Sequence, residues 1–191
     1  MYTIRESKDA DSQCDYIVWI DLELTGLNIE TDTILEIACL ITNKDLDIVS
    51  EPFNVVIHHP AVVLENMNEW CTYNLPKCGL VQESKDSKIS LKDAEQMLLD
   101  FLNKHIPSKV CPLAGNTIYM DRLFLIKLMP SVNDYLHYRI IDVSSIKELV
   151  RRWYGKQFKK DTKLQHRALP DIKNSIKELK YYKKNVFIPP T

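Results

Sequence analysis

The chain is expected to be an α/β domain built on a mixed β-sheet. Three observations predict this. Two apolar runs rich in branched aliphatics, 16–20 and 34–42, lie close together near the start. Further on, short apolar segments at 111–114 and 137–143 alternate with stretches of helical periodicity. Finally, 191 residues at 45% hydrophobic content are enough for one three-layer core and leave no sign of a second domain.

Taken in order, residues 1–14 read as a short disordered lead-in, 15–187 as the single domain and 188–191 as a tail. The first strand, YIVWI, continues into Asp21-Leu22-Glu23 and breaks at Thr25-Gly26. A central strand follows at 34–42 and another at 48–58, forming a meander with the first. Ser90 with Asp93 marks a helix start, and Leu91, Ala94, Leu98, Phe101 and Leu102 recur at helical spacing. A short buried strand at 111–114 ends in Gly115-Asn116, after which Thr117 is expected to cap a helix carrying Asp121, Phe124, Leu125 and Leu128. The segment 137–143 reads as a strand, and a helix beginning at Ser145 carries an apolar stripe of Ile146, Leu149, Val150 and Trp153. A polar, lysine-rich loop is expected over 154–165. The last helix begins near Pro170, with Ile172, Ile176 and Leu179 on its buried side.

Composition narrows the function classes. No apolar stretch is long enough to span a bilayer, and a net charge of −1 gives no overall electrostatic footprint for gripping long nucleic acid. Five cysteines with no C-x-x-C pair argue against a zinc site or a disulfide framework and favour a reducing compartment. The first fifteen residues hold four acids and one arginine, unlike a secretory signal or an acid-poor presequence. A cytoplasmic location is expected, with a mitochondrial form as the alternative.

Residues i and i+2 of a strand point the same way, so Asp21 and Glu23 share a face at the end of a buried strand. Two carboxylates there are costly unless a cation joins them, and hard divalent ions prefer carboxylate oxygen. Asp121, on the apolar side of its helix, and Asp171, in the first turn of the last helix, extend the set to about four negative charges, which two Mg²⁺ ions would balance. His166 stands five residues before Asp171 and suits a general base at neutral pH. Singly, an aspartate in a first helical turn more often complements the helix dipole. The ordered set D-x-E, helical Asp, H-x-x-x-x-D carries the assignment.

These residues resemble the oligoribonucleases, in the histidine-containing branch of the DEDD superfamily of 3′-to-5′ exonucleases. The matching text is WIDLELTGL (19–27), ILEIACLIT (34–42), GNTIYMDRLFL (115–125), HYRIIDVSSIKELVRRW (137–153) and HRALPDIKNSIKELKYY (166–182). The resemblance implies a ribonuclease H-like mixed sheet flanked by helices, and a homodimer that degrades RNAs as short as dinucleotides to nucleoside 5′-monophosphates. It assigns Asp21, Glu23, Asp121 and Asp171 to two Mg²⁺ or Mn²⁺ ions, and His166 to the base. It also implies base stacking by Trp70 and Tyr138, a wedge at Leu27, and capping of the 5′ end by Thr117, Arg139 and Ser144. Tyr138 and Arg139 are expected to come from the partner subunit. Two positions depart from the family pattern. Leu75 replaces a usual histidine five residues after the tryptophan, removing one phosphate contact, and Pro170 is expected to tilt Leu169 out of the helical region. The rival readings are a proofreading-type DNA exonuclease and an inactive oligonucleotide-binding module.

Overall fold

The structure, a computed structural model, describes residues 14–155 and 166–187. Most of the expected lead-in, the loop from 156 to 165 and the tail from 188 lie outside the described residues. Strand β1 (Tyr16–Leu24) pairs antiparallel with β2 (Ile34–Asn43), which pairs antiparallel with β3 (Phe53–Val56). β3 is shorter than the expected 48–58. Pro52 has no N–H to give the ladder, so pairing starts after it, and Ile48 makes only an isolated bridge to Thr42.

Between β3 and the next long helix lie three short helices that sequence periodicity does not reveal: α1 (Ala61–Glu65), α2 (Glu69–Asn74) and α3 (Leu80–Asp86), with a 3₁₀ turn at Leu75–Cys78. Asn68 caps α2 by accepting the Cys71 N–H at 2.8 Å. Leu64, Met67, Cys71, Leu75 and Leu80 pack together against Leu35. Leu75 therefore serves as core here.

Helix α4 (Leu91–His105) begins in the expected capping box of Ser90 and Asp93. β4 (Leu113–Gly115), α5 (Ile118–Leu128), α6 (Pro130–Tyr135), β5 (Ile140–Asp142), α7 (Val143–Tyr154) and α8 (Ala168–Asn185) complete the chain. The sheet order is β3-β2-β1-β4-β5, with β1, β4 and β5 mutually parallel, so it is mixed, as expected.

Alternation along β1 sorts the two layers. Val18, Ile20 and Leu22 pack with residues of α4 and α5, including Leu98, Phe101, Phe124 and Leu125. Trp19 lies on the opposite face with Ala38, Leu40 and the α8 residues Ala168, Ile172, Ile176 and Tyr182. Its indole N–H donates to Thr42 Oγ1 at 3.0 Å, so the largest core side chain leaves no polar atom unmet.

Several expectations are corrected. Thr117 does not cap α5: its backbone is left-handed (φ 56°) and its side chain makes no cap bond. α7 starts at Val143 rather than Ser145, because the Asp142 carboxylate accepts the Ser144 N–H at 2.9 Å. Its stripe is only partly buried, with Val150 inside but Leu149 and Trp153 exposed. α8 begins at Ala168, so Leu169 is helical despite preceding Pro170. There the Ala168 N–H is held by the Glu36 carboxylate, a tertiary anchor that outweighs the pre-proline preference. The five cysteines also include one disulfide, Cys14–Cys111. Parallel pairing brings these residues together, since the Val18 N–H donates to the Pro112 carbonyl and sets the approach to β1 beside the approach to β4.

Candidate active site

The period-two alternation that sends Trp19 toward α8 does the same for Asp21 and Glu23. α8 packs across β1 and β2 and carries Asp171 in its first turn. Asp21, Glu23 and Asp171 each present an oxygen within 4.8 Å of the others. The fourth expected acid, Asp121, is outside that triplet. β4 pairs with β1 only at Val18 and Trp19 and then ends at Gly115, where a Cβ would lie 3.0 Å from the Ile20 carbonyl oxygen. Past that point the Leu22 N–H has no strand partner, and Asp121 Oδ1 accepts it at 2.9 Å. The acids thus gather where β1 runs on past the carboxyl end of its parallel neighbour β4, the end of an open α/β sheet at which ligands bind.

Their electrostatics favour a shared cation. Burial, then the charges of Asp121, Glu23 and Asp171, pushes the Asp21 carboxyl well above the ordinary carboxylate range. Glu23 is pushed up to about 8, by burial first and by Asp171 second. Asp121 rises to about 7 through burial, despite the opposing pull of the Leu22 N–H. An all-oxygen, mutually repelling, partly buried set fits hard divalent cations and has no core-packing use.

His166 lies at the start of α8 with a left-handed backbone (φ 43°), an unusual conformation for a non-glycine residue. Its ring meets Trp70 edge to face, with centroids 5.1 Å apart. Trp70 is 54% exposed and Leu27 is 65% exposed. Both line a cleft of about 440 Å³ with Glu23, Gly26, Asn68 and Cys71. Trp70, Leu27, His166 and the acids are thereby joined in one region, although they come from four separate segments.

The turn bearing Leu27 is built on Asp32, which accepts the Thr25 hydroxyl at 2.9 Å and the Asn28 N–H at 2.8 Å. Thr117 and Ser144 hydrogen-bond each other at 3.1 Å, and Asp142 Oδ1 accepts the N–H of both. Ser144 Oγ donates to Asn116, which donates to Ser175 and the buried Glu178 on α8. Tyr138, 74% exposed, and Arg139 stand near one another on the surface, outside the lining of the cleft.

Sequence reasoning missed four polar residues that hold this region: Glu36, Arg167, Asp142 and Asp32. Glu36 left a signal, as an acid inside the otherwise apolar ILEIACLIT.

The RNase_T exonuclease family model matches residues 18–179. A probable oligoribonuclease of Drosophila melanogaster is 51% identical over 173 residues, spanning 90% of this chain and 82% of its own. A mitochondrial oligoribonuclease of Homo sapiens is 48% identical over 179 residues, spanning 93% and 76%. Among solved structures, exonuclease I of Methylocaldum szegediense superposes with a TM-score of 0.70 at 17% identity, over 91% of this chain and 41% of that one. The Mg²⁺- and Mn²⁺-bound form of S. pombe Pop2p gives 0.68 at 12% identity, over 90% and 84%. Both solved structures share the fold. The present chain spans about two fifths of the exonuclease I length.

Proposed function

The chain belongs to the RNase_T exonuclease family and, within it, to the oligoribonucleases, and on that premise we propose how its own residues carry out 3′-to-5′ hydrolysis of very short RNA. The observation that carries the reading is the Asp21, Glu23, Asp171 triplet, whose oxygens crowd within 4.8 Å while burial raises the proton affinity of Asp21 and Glu23. Asp21, Glu23, Asp121 and Asp171 would hold two Mg²⁺ or Mn²⁺ ions. When bound, such ions activate water and neutralise charge on the phosphodiester and its leaving oxygen.

His166 accepts the proton of the attacking water, and its left-handed backbone presents the ring beside Trp70 at the cleft. Trp70 stacks a base, and Leu27 at the cleft margin wedges against it and limits substrate length. Thr117 and Ser144, fixed by Asp142, cap the 5′ end. A dinucleotide offers few phosphates, so enclosure of its ends and stacking supply the affinity that a net charge of −1 does not.

The working unit in this reading is a homodimer in which Tyr138 and Arg139 complete the partner's pocket. Two features support it: Tyr138 is exposed away from the cleft, and α7 leaves Leu149 and Trp153 uncovered. Among the described residues no helix is long and apolar enough to cross a membrane. The test is Asp21→Asn, assayed with Mn²⁺ on an RNA dinucleotide. Loss of nucleoside 5′-monophosphate with the fold intact is expected. Unchanged turnover would remove the carboxylates from the chemistry.

A further inference from the structure

Glu36 lies within β2 and is 1% exposed, yet it carries a carboxylate. Burying that charge is costly unless it is paired and fully hydrogen-bonded. Here it is both. Oε1 accepts Asn54 Nδ2 at 2.9 Å and Arg167 Nη2 at 2.9 Å, and Oε2 accepts Arg167 Nε at 3.0 Å and the Ala168 N–H at 3.2 Å. On the far edge of the same guanidinium, Nη1 donates to Glu83 Oε1 and Nη2, shared with Glu36, donates to Glu83 Oε2, both at 2.7 Å.

The location of this clamp matters more than its strength. Glu36 is the register partner of Glu23, and the residues it holds directly follow His166. α8 has no side-chain cap of its own, since its N-cap residue is Arg167, whose guanidinium has no acceptor to offer. Glu36 supplies the cap from a strand across the sheet. Upstream, the Cys78 thiol, shared with the Leu75 carbonyl at 3.1 Å, reaches the His166 carbonyl at 3.4 Å. Downstream, the Asp171 N–H donates to the Arg167 carbonyl at 3.2 Å. One buried carboxylate thus spans the strand face bearing Glu23 and the turn bearing His166 and Asp171.

We infer that Glu36 is a positioning residue for the reaction: through Arg167 and the Ala168 N–H it holds His166 in its left-handed conformation and sets the start of α8 against β1. Glu36 touches neither substrate nor metal in this account, and the inference rests on the catalytic role proposed for His166.

The test compares Glu36→Gln, Arg167→Ala, Arg167→Lys, Glu83→Gln and His166→Ala on an RNA dinucleotide with saturating Mn²⁺, alongside thermal melts. Glu36→Gln and Arg167→Ala are expected to lower kcat about 10–100-fold, as loss of outer-shell partners does, with KM changed less than about threefold. Methylguanidinium should restore part of the Arg167→Ala rate and none of the Glu36→Gln rate. Arg167→Lys, which keeps the charge but not the fork, should recover less than methylguanidinium does. Glu83→Gln removes a half-exposed outer contact and should cost less than about threefold. Wild-type kcat in a folded Glu36→Gln protein overturns the inference, as does an Arg167→Ala loss that methylguanidinium leaves untouched. If His166→Ala itself turns over normally, the role of His166 fails. A crippled His166→Ala beside a normal Glu36→Gln sinks the clamp alone. Should Glu36→Gln not fold, the methylguanidinium rescue still decides.

Discussion

Metal binding at the carboxylate cluster should be strongly proton-linked, with a magnitude that follows from Glu23. Its carboxyl is pushed up to about 8 by burial and by Asp171, and a metal ligand must give up its proton. At about pH 6.5 the free site is roughly 30-fold in favour of the protonated form, whereas at about pH 8.5 it is mostly ionised. From Glu23 alone, Mn²⁺ affinity should fall about 25-fold over that interval, or about 2 kcal/mol. Asp121, raised to about 7, adds to the fall at the lower end. The assay is a Mn²⁺ titration followed by the electron paramagnetic resonance of free ion, repeated across the range, with released protons counted calorimetrically in buffers of differing ionisation enthalpy. Affinity that stays flat with pH, with no proton released, would refute the reasoning. The same linkage acts on folding. Glu23 has a folded-state pKa above its ordinary 4.5, so the stability it contributes is complete below pH 4.5 and is lost as pH rises through about 8. Metal-free protein should therefore melt lower at pH 8.5 than at pH 6.5 as far as this cluster is concerned, and Mn²⁺ should reverse the difference.

Other consequences are local. His166→Ala should lower kcat about 10²–10⁴-fold while leaving Mn²⁺ affinity near wild type; a matching loss of affinity would make His166 a ligand rather than a base. Trp70→Ala should weaken dinucleotide binding by about 1–3 kcal/mol, read as KM, since its exposed ring supplies stacking; an unchanged KM would return Trp70 to a packing role. Asp142→Ala removes the α7 cap and the acceptor of the Thr117 N–H, so a loss of about 0.5–2 kcal/mol in denaturant unfolding should accompany a raised KM. Gly26→Ala puts a Cβ 2.4 Å from Asp32 Oδ2, and the displaced turn should cost about 1–3 kcal/mol in stability and carry Leu27 out of register, seen as a rise in KM for the dinucleotide.

Asp21 and Glu23 were legible from sequence because strand alternation has a period of two, and an acid pair ending an apolar run has few structural uses. Asp171, in a first helical turn where an acid alone says little, was legible only as the end of the ordered set D-x-E, helical Asp, H-x-x-x-x-D. Less could be read where the cause is long-range. Asp121 is anchored by the Leu22 N–H only because β4 is three residues long, and nothing in 111–116 states that length. Glu36 was visible as an acid among apolar neighbours, but its partners Arg167 and Ala168 lie more than 130 positions away. The helices between residues 61 and 86 are each seven residues or fewer, too short for periodicity to mark. Cys14 and Cys111 meet through parallel strand pairing, which an odd cysteine count conceals.

The central claim is that this carboxylate cluster degrades RNA of only a few nucleotides from its 3′ end. The most direct measurement is the rate of nucleoside 5′-monophosphate release from RNAs of two to seven nucleotides with Mn²⁺, beside the matching DNA dinucleotide. Fastest turnover of the RNA dinucleotide, falling with length and lost in Asp21→Asn, is the predicted result. A rate that rises with length, or equal turnover of the DNA dinucleotide, would contradict it.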